Sequence, residues 1–144
     1  MKEYTAEFIR NIALISHGSG GKTMLAEAFL HTTGATTRLG KIDDGSTASD
    51  FEDEEIRRKL SLSTSVIPVE YKDTKINVLD TPGYTDFTGE VISALRVADG
   101  AIILVDSVAG LEVGTEITWG YCDTFKLPRF VVVNKMDRDN AYFK

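Results

Sequence analysis

Ser16-His17-Gly18-Ser19-Gly20-Gly21-Lys22-Thr23 has the composition of an anion cradle. Its three glycines let the backbone wrap an oxyanion without Cβ clashes. Free N–H groups at the start of a helix favour negative charge in that position. In such a loop Lys22 reaches the terminal phosphates of a nucleotide and Thr23 offers its hydroxyl to Mg²⁺. A second segment, Asp80-Thr81-Pro82-Gly83, supplies a carboxylate that can hold Mg²⁺ through its waters. It also supplies a glycine whose N–H can approach a γ-phosphate. A third, Asn134-Lys135-Met136-Asp137, can read a base. The Asp137 carboxylate can accept two hydrogen bonds from the N1–H and 2-amino group of guanine, a donor pair that adenine lacks. The stem of Lys135 can stack over the ring. In this order the three segments describe one pocket for GDP or GTP.

These segments need elements to position them, and the apolar runs provide candidates. Ile12 to Ile15 precedes the glycine-rich loop, Ile76 to Leu79 precedes Asp80, and Phe130 to Val133 precedes Asn134. A fourth run, Ala101 to Val105, lies between the last two. Continuous runs such as Ala101–Val105 and Phe130–Val133 suit parallel strands buried on both faces. Helical spacing follows the first three strands: Leu25, Ala28 and Phe29; then Val91, Ile92, Leu95 and Ala98; then Val113, Ile117 and Tyr121. Alternating strands and helices predict an α/β fold with a mostly parallel sheet. Ser65 to Tyr71 reads as an added edge strand, because Pro68 cannot donate a ladder hydrogen bond. Lys72 to Lys75 would turn it antiparallel onto Ile76–Leu79.

Residues 34–62 hold few large apolar side chains and much Gly, Ser, Thr and Asp. Asp53, Glu54 and Glu55 precede Arg57, Arg58 and Lys59 at four-residue spacing, which suits a short solvated helix. Given the motifs around it, the segment reads as a loop that only a bound nucleotide orders.

The 144 residues allow one domain with a real core, and the net charge of −6 argues against a broad basic face for DNA or RNA. A single cysteine, Cys122, excludes an internal disulfide and fits a reducing, cytoplasmic home. No apolar run approaches the ~18 residues needed to span a bilayer, so no membrane role is expected. His17 reads as part of the phosphate loop, His31 as a surface residue near a helix end, Cys122 as a packing residue, and Trp119 as core or partly buried, with a partner-facing position as the alternative.

Further segments narrow the reading. Gly40, Asp44-Gly45 and Asp50-Phe51 are similar to the switch I approach of translational GTPases. Asn77 to Glu90, through Asp80-Thr81-Pro82-Gly83-Tyr84, is similar to switch II, and Ser107, Gly110, Glu112, Glu116 and Trp119 to the helix that follows. From Ile9 to Asp137 the chain resembles the elongation factor G family. The resemblance implies a P-loop GTPase-type three-layer fold, read here as truncated before its last strand and helix. Residues 1–144 are then a partial G domain of a larger multidomain protein that meets the ribosome. It implies GTP and Mg²⁺ as ligands, with Thr23, Ser61 and Asp80 on the metal and Lys22, Gly83 and the residue at 84 in catalysis.

The chain departs from that family at several positions. Tyr84 stands where the family has the histidine that positions the attacking water. A phenol can hydrogen-bond a water but supplies no cation. Ser61 replaces the metal-binding switch I threonine, Lys59 replaces a nearby glycine, and Ser19 replaces an aspartate proposed to help bind a monovalent cation. Ser16 stands where Gly or Ala is usual. Two expectations follow: a translation factor that hydrolyses GTP to GDP and phosphate, or a nucleotide-dependent switch or ribosome-protection factor with little hydrolysis.

Overall fold

The computed structural model describes residues 2–143. Five strands form one sheet in the order β2-β3-β1-β4-β5. They are β1 (Ile9–Ile15), β2 (Ser65–Tyr71), β3 (Thr74–Asp80), β4 (Gly100–Asp106) and β5 (Arg129–Asn134). β1 pairs parallel with β3 and with β4, and β4 pairs parallel with β5. Only β2 runs antiparallel, on β3, and it lies at the sheet edge where Pro68 removes no needed donor. The hairpin is tighter than the sequence suggests. Lys72 and Asp73 alone make the turn, at φ +45° and +61°, and β3 already starts at Thr74. Two consecutive residues with positive φ match the right-handed twist of the strands they join.

Among the described residues there are four α-helices, α1 (Lys22–Thr32), α2 (Asp53–Arg58), α3 (Thr88–Val97) and α4 (Val113–Thr124), and two single 3-10 turns at Ala6–Phe8 and Thr85–Phe87. Side-chain alternation along the strands builds a core on each face of the sheet. Ala13, Ile15, Leu79, Ala101 and Ile103 face Val91, Ala94, Leu95 and Cys122 of α3 and α4. Leu14, Val78 and Leu104, with Ile67 and Val69, face Ala26 and Leu30 of α1. The result is a three-layer α/β fold.

Three local expectations shift. On α1 the buried positions are Ala26 and Leu30 with Thr23 and Glu27, while Leu25 and Phe29 are half-buried. On α4 the inner face is Gly114, Thr115, Thr118 and Cys122, and Val113 is 68% exposed. Small side chains let α4 approach closely; a Cβ on Gly114 would stand 2.6 Å from His17 Nδ1. β5 is not buried on both faces: it is the outer strand, with Phe130 67% exposed.

Candidate nucleotide-binding site

The carboxyl ends of β1, β3 and β5 lie together, the usual place for a ligand in an open α/β sheet. The β1–α1 loop folds with Ser19 at φ +64° and Gly21 at φ +99°. Gly21 has a second reason to be glycine, since a Cβ there would lie 2.2 Å from Asn134 Nδ2. That amide donates to the Gly20 carbonyl at 3.0 Å, joining the loop to the end of β5. The end of β3 joins the same loop. Thr23 Oγ1 donates to Asp80 Oδ2 at 2.8 Å, and a Cβ on Gly83 would lie 2.5 Å from Lys22 Nζ. The three strand-end turns therefore converge.

Lys22 is buried, and its ammonium donates to Ser16 Oγ at 3.0 Å. Burial lowers its pKa to about 8 against the pull of Asp80 and Asp50. Asp80 is also buried, which pushes its carboxyl up to about 6 despite the Thr23 hydroxyl and the Lys22 charge. Its Oδ1 has no hydrogen-bond partner. Ser61 Oγ lies 3.3 Å from Thr23 Oγ1 and donates to Asp50 Oδ1 at 2.7 Å. The proposed metal residues Thr23, Ser61 and Asp80 are thus adjacent, with Asp50 behind them.

A cavity of about 600 Å³ opens over this cluster. Lys22, Lys41, Lys59, Lys135 and Arg138 line it against two carboxylates, Asp43 and Asp50. A cationic pocket in a chain of net charge −6 is built for a polyanion. A neighbouring cavity of about 390 Å³ is walled by Asp106, Lys135, Arg138 and Asp139. Lys135 adopts φ +60°, and its Nζ donates to Asp106 Oδ2. That bond, with the Val108 amide, holds Asp106 down at about 2.

Not every residue expected in the pocket has its side chain there. Thr81 is fully buried and donates to the Leu14 carbonyl at 2.6 Å, and Pro82 is packed in the interior. Asp137 is exposed in the turn after β5. His17 faces α4, with Nε2 3.5 Å from Glu112 Oε1. Tyr84 is 43% exposed, and its ring covers Gly18, where an added Cβ would meet it at 3.0 Å.

Residues 7–144 match the elongation factor Tu GTP binding domain. The chain belongs to that family. Among relatives of this elongation factor Tu type, it is 43% identical over 134 residues to the mitochondrial ribosome-releasing factor 2 of Lodderomyces elongisporus, covering 93% of this chain and 16% of that protein. It is 38% identical over 143 residues to elongation factor G of Granulibacter bethesdensis, covering 99% of this chain and 21% of that protein. A crystal structure from Thermus thermophilus superposes with a TM-score of 0.90 at 41% identity, covering 94% of this chain and 20% of that one. The chain therefore spans about a fifth of the length of the relatives it matches. The fold is that of a P-loop GTPase.

Within this elongation factor Tu-type fold, Glu27 has a role that the sequence does not suggest, and Glu55, expected on a solvated helix, is buried. Glu27 on α1 is buried, and its carboxylate accepts the amides of Gly40 and Ala48. Glu55 on α2 is buried and accepts the amides of Leu62 and Ser63 as well as its own capping bond at Glu52. These bonds tie residues 40–63 to α1 and α2. The available signal was spacing: Thr23, Glu27 and Leu30 lie on one helix face. Trp119 is 42% exposed, with the Arg129 guanidinium 4.0 Å from its ring centre.

Proposed function

We propose that this chain is the guanine-nucleotide-binding part of a larger, cytoplasmic, ribosome-associated translation factor that hydrolyses GTP to GDP and phosphate. One observation carries the reading: Lys22, Thr23 and Gly83 line one cationic pocket, and Asp80, bonded to Thr23, and Asn134, bonded to Gly20, join the other strand ends to that wall. The names of the relatives, elongation factor G and ribosome-releasing factor 2, support a partner on the ribosome.

The residues fit a magnesium ion. Asp80 Oδ1 is a buried acceptor without a partner, the Thr23 hydroxyl bonds the other oxygen of that carboxylate, and the Ser61 hydroxyl is 3.3 Å from that of Thr23. Among the described residues no three His, Cys, Asp or Glu side chains form a cage, which suits an ion shared with waters and phosphates. Bound there, Mg²⁺ would neutralise phosphate charge. The chain's own groups do the rest. Loop amides and Lys22 hold the phosphates, while the Gly83 N–H faces the terminal one. Tyr84, beside Gly83, can orient the water that attacks the γ-phosphorus as the bond to the bridging oxygen breaks. At the far end, the Lys135 stem flanks the guanine and the Asp137 carboxylate turns inward to accept its N1–H and 2-amino donors.

A second reading keeps the binding and drops the turnover: a nucleotide-dependent switch or ribosome-protection factor with little hydrolysis. Tyr84 favours it, because its ring lies on Gly18 and brings no positive charge to the phosphates. Phosphate release by the full-length protein, with and without ribosomes, separates the two. Ribosome-stimulated release supports the hydrolase. Nucleotide binding without release, converted to release by Tyr84→His, supports the switch.

A further inference from the structure

Lys59 sits at the carboxyl end of α2 with φ +55°, in the left-handed region. A glycine would adopt that backbone freely, whereas a side chain there is strained. That side chain lines the same pocket as Lys22, Ser61 and Tyr84. Its position along that pocket is defined. Lys59 lies two residues before Ser61, whose hydroxyl is 3.3 Å from Thr23 Oγ1, so the strap carrying Lys59 crosses the phosphate end and not the base end. Its Nζ is 3.0 Å from Asp43 Oδ1, a pair whose side chains are 53% and 86% exposed. An ion pair so exposed contributes little and is given up at small cost. The pocket's other carboxylate, Asp50, already accepts from Ser61.

We infer that Lys59 is a specificity-determining residue: it leaves Asp43 for the terminal phosphate of a bound nucleoside triphosphate and so makes the pocket prefer a triphosphate to a diphosphate. The inference rests on the nucleotide reading above. An ammonium–phosphate contact inside a pocket outweighs an exposed lysine–aspartate pair. A diphosphate lacks the outermost group and leaves Lys59 with Asp43. Tyr84 brings no charge to this end, and Lys59 adds a second ammonium to the pocket that Lys22 lines.

The test is titration calorimetry of the purified protein with GDP and with a non-hydrolysable GTP analogue. Lys59→Ala and Lys59→Gly are expected to weaken the analogue about tenfold and GDP by no more than about twofold. Lys59→Arg is expected to keep the preference, and Asp43→Asn to tighten the analogue. Lys59→Gly removes the cation while relieving the backbone, so an unchanged or raised melting temperature for that variant excludes misfolding as the cause. Equal weakening of both nucleotides, or no change in either, overturns the inference. If the unmodified protein binds neither nucleotide, the nucleotide reading fails first.

Discussion

The side-chain amide of Asn134 donates to the carbonyl of Gly20 across 3.0 Å, and through that bond the last strand holds the first loop. Gly21 lies directly beneath it, where a Cβ would stand 2.2 Å from the same amide. Gly21→Ala is therefore expected to destabilise the fold by about 2–4 kcal/mol, combining left-handed strain with a steric clash. Adding Asn134→Ala removes the clash and leaves the strain. The double variant should recover part of the loss, a non-additivity that a denaturant-based double-mutant cycle measures.

Glu27 concerns a different joint. Its carboxylate accepts from Gly40 and Ala48, which lie far from it in sequence. Glu27→Ala would leave both amides without their charged acceptor, at a cost of about 2–3 kcal/mol. The effect should be local first. Hydrogen exchange at residues 40 and 48, and proteolytic cleavage within 34–62, should accelerate while the sheet amides keep their protection. Uniform acceleration across the sheet would refute a local anchor.

Asp80 makes a prediction about pH. Burial raises its folded pKa to about 6 from an ordinary 3.8, so the folded state holds the proton more tightly than the unfolded chain. Its contribution to stability is therefore largest in acid. It is lost as pH rises from about 4 to 6, and above that the buried charge is a standing cost. Without nucleotide or Mg²⁺, Asp80→Asn should be more stable than the natural chain at pH 7 by about 2 kcal/mol, and the gap should close toward pH 4. The same variant should lose Mg²⁺-dependent nucleotide binding. Stability and function then move in opposite directions, as expected of a functional site.

Asp106 has the opposite sign. The Lys135 ammonium and the Val108 amide hold it at about 2, below its ordinary 3.8. Its contribution is present above pH 4 and disappears as pH falls through about 2. Asp106→Asn should flatten the acid limb of the stability curve and cost at most about 1 kcal/mol at pH 7, because the pair is partly exposed. An unchanged acid limb would exclude this assignment.

Much of this was legible in the chain because the signals were local. The glycine-rich loop, the Asp80 turn and the Asn134 turn each follow an apolar strand. Pro68 placed the antiparallel edge. What was not legible depended on distant partners. Glu27 and Glu55 look like solvent-facing helix residues, and only the return of residues 40–63 over them makes them buried acceptors. On α4, Tyr121 packs against the core as its spacing suggests, but Val113 is exposed and small residues take the innermost positions. Thr115 and Thr118 are buried there, and Gly114 leaves room for His17, which a Cβ would meet at 2.6 Å. Phe130 to Val133 looked like an interior strand because hydrophobicity alone does not tell which strand lies outermost.

Cys122 gives this molecule an internal reporter. The chain's single thiol is fully enclosed between α4 and the sheet. A small alkylating reagent can meet it only when that layer separates, so with reclosing faster than alkylation the labelling rate in native buffer reports the open fraction. Thermodynamic strength of the α3–α4 side can thus be followed by mass spectrometry, without denaturant or an added dye.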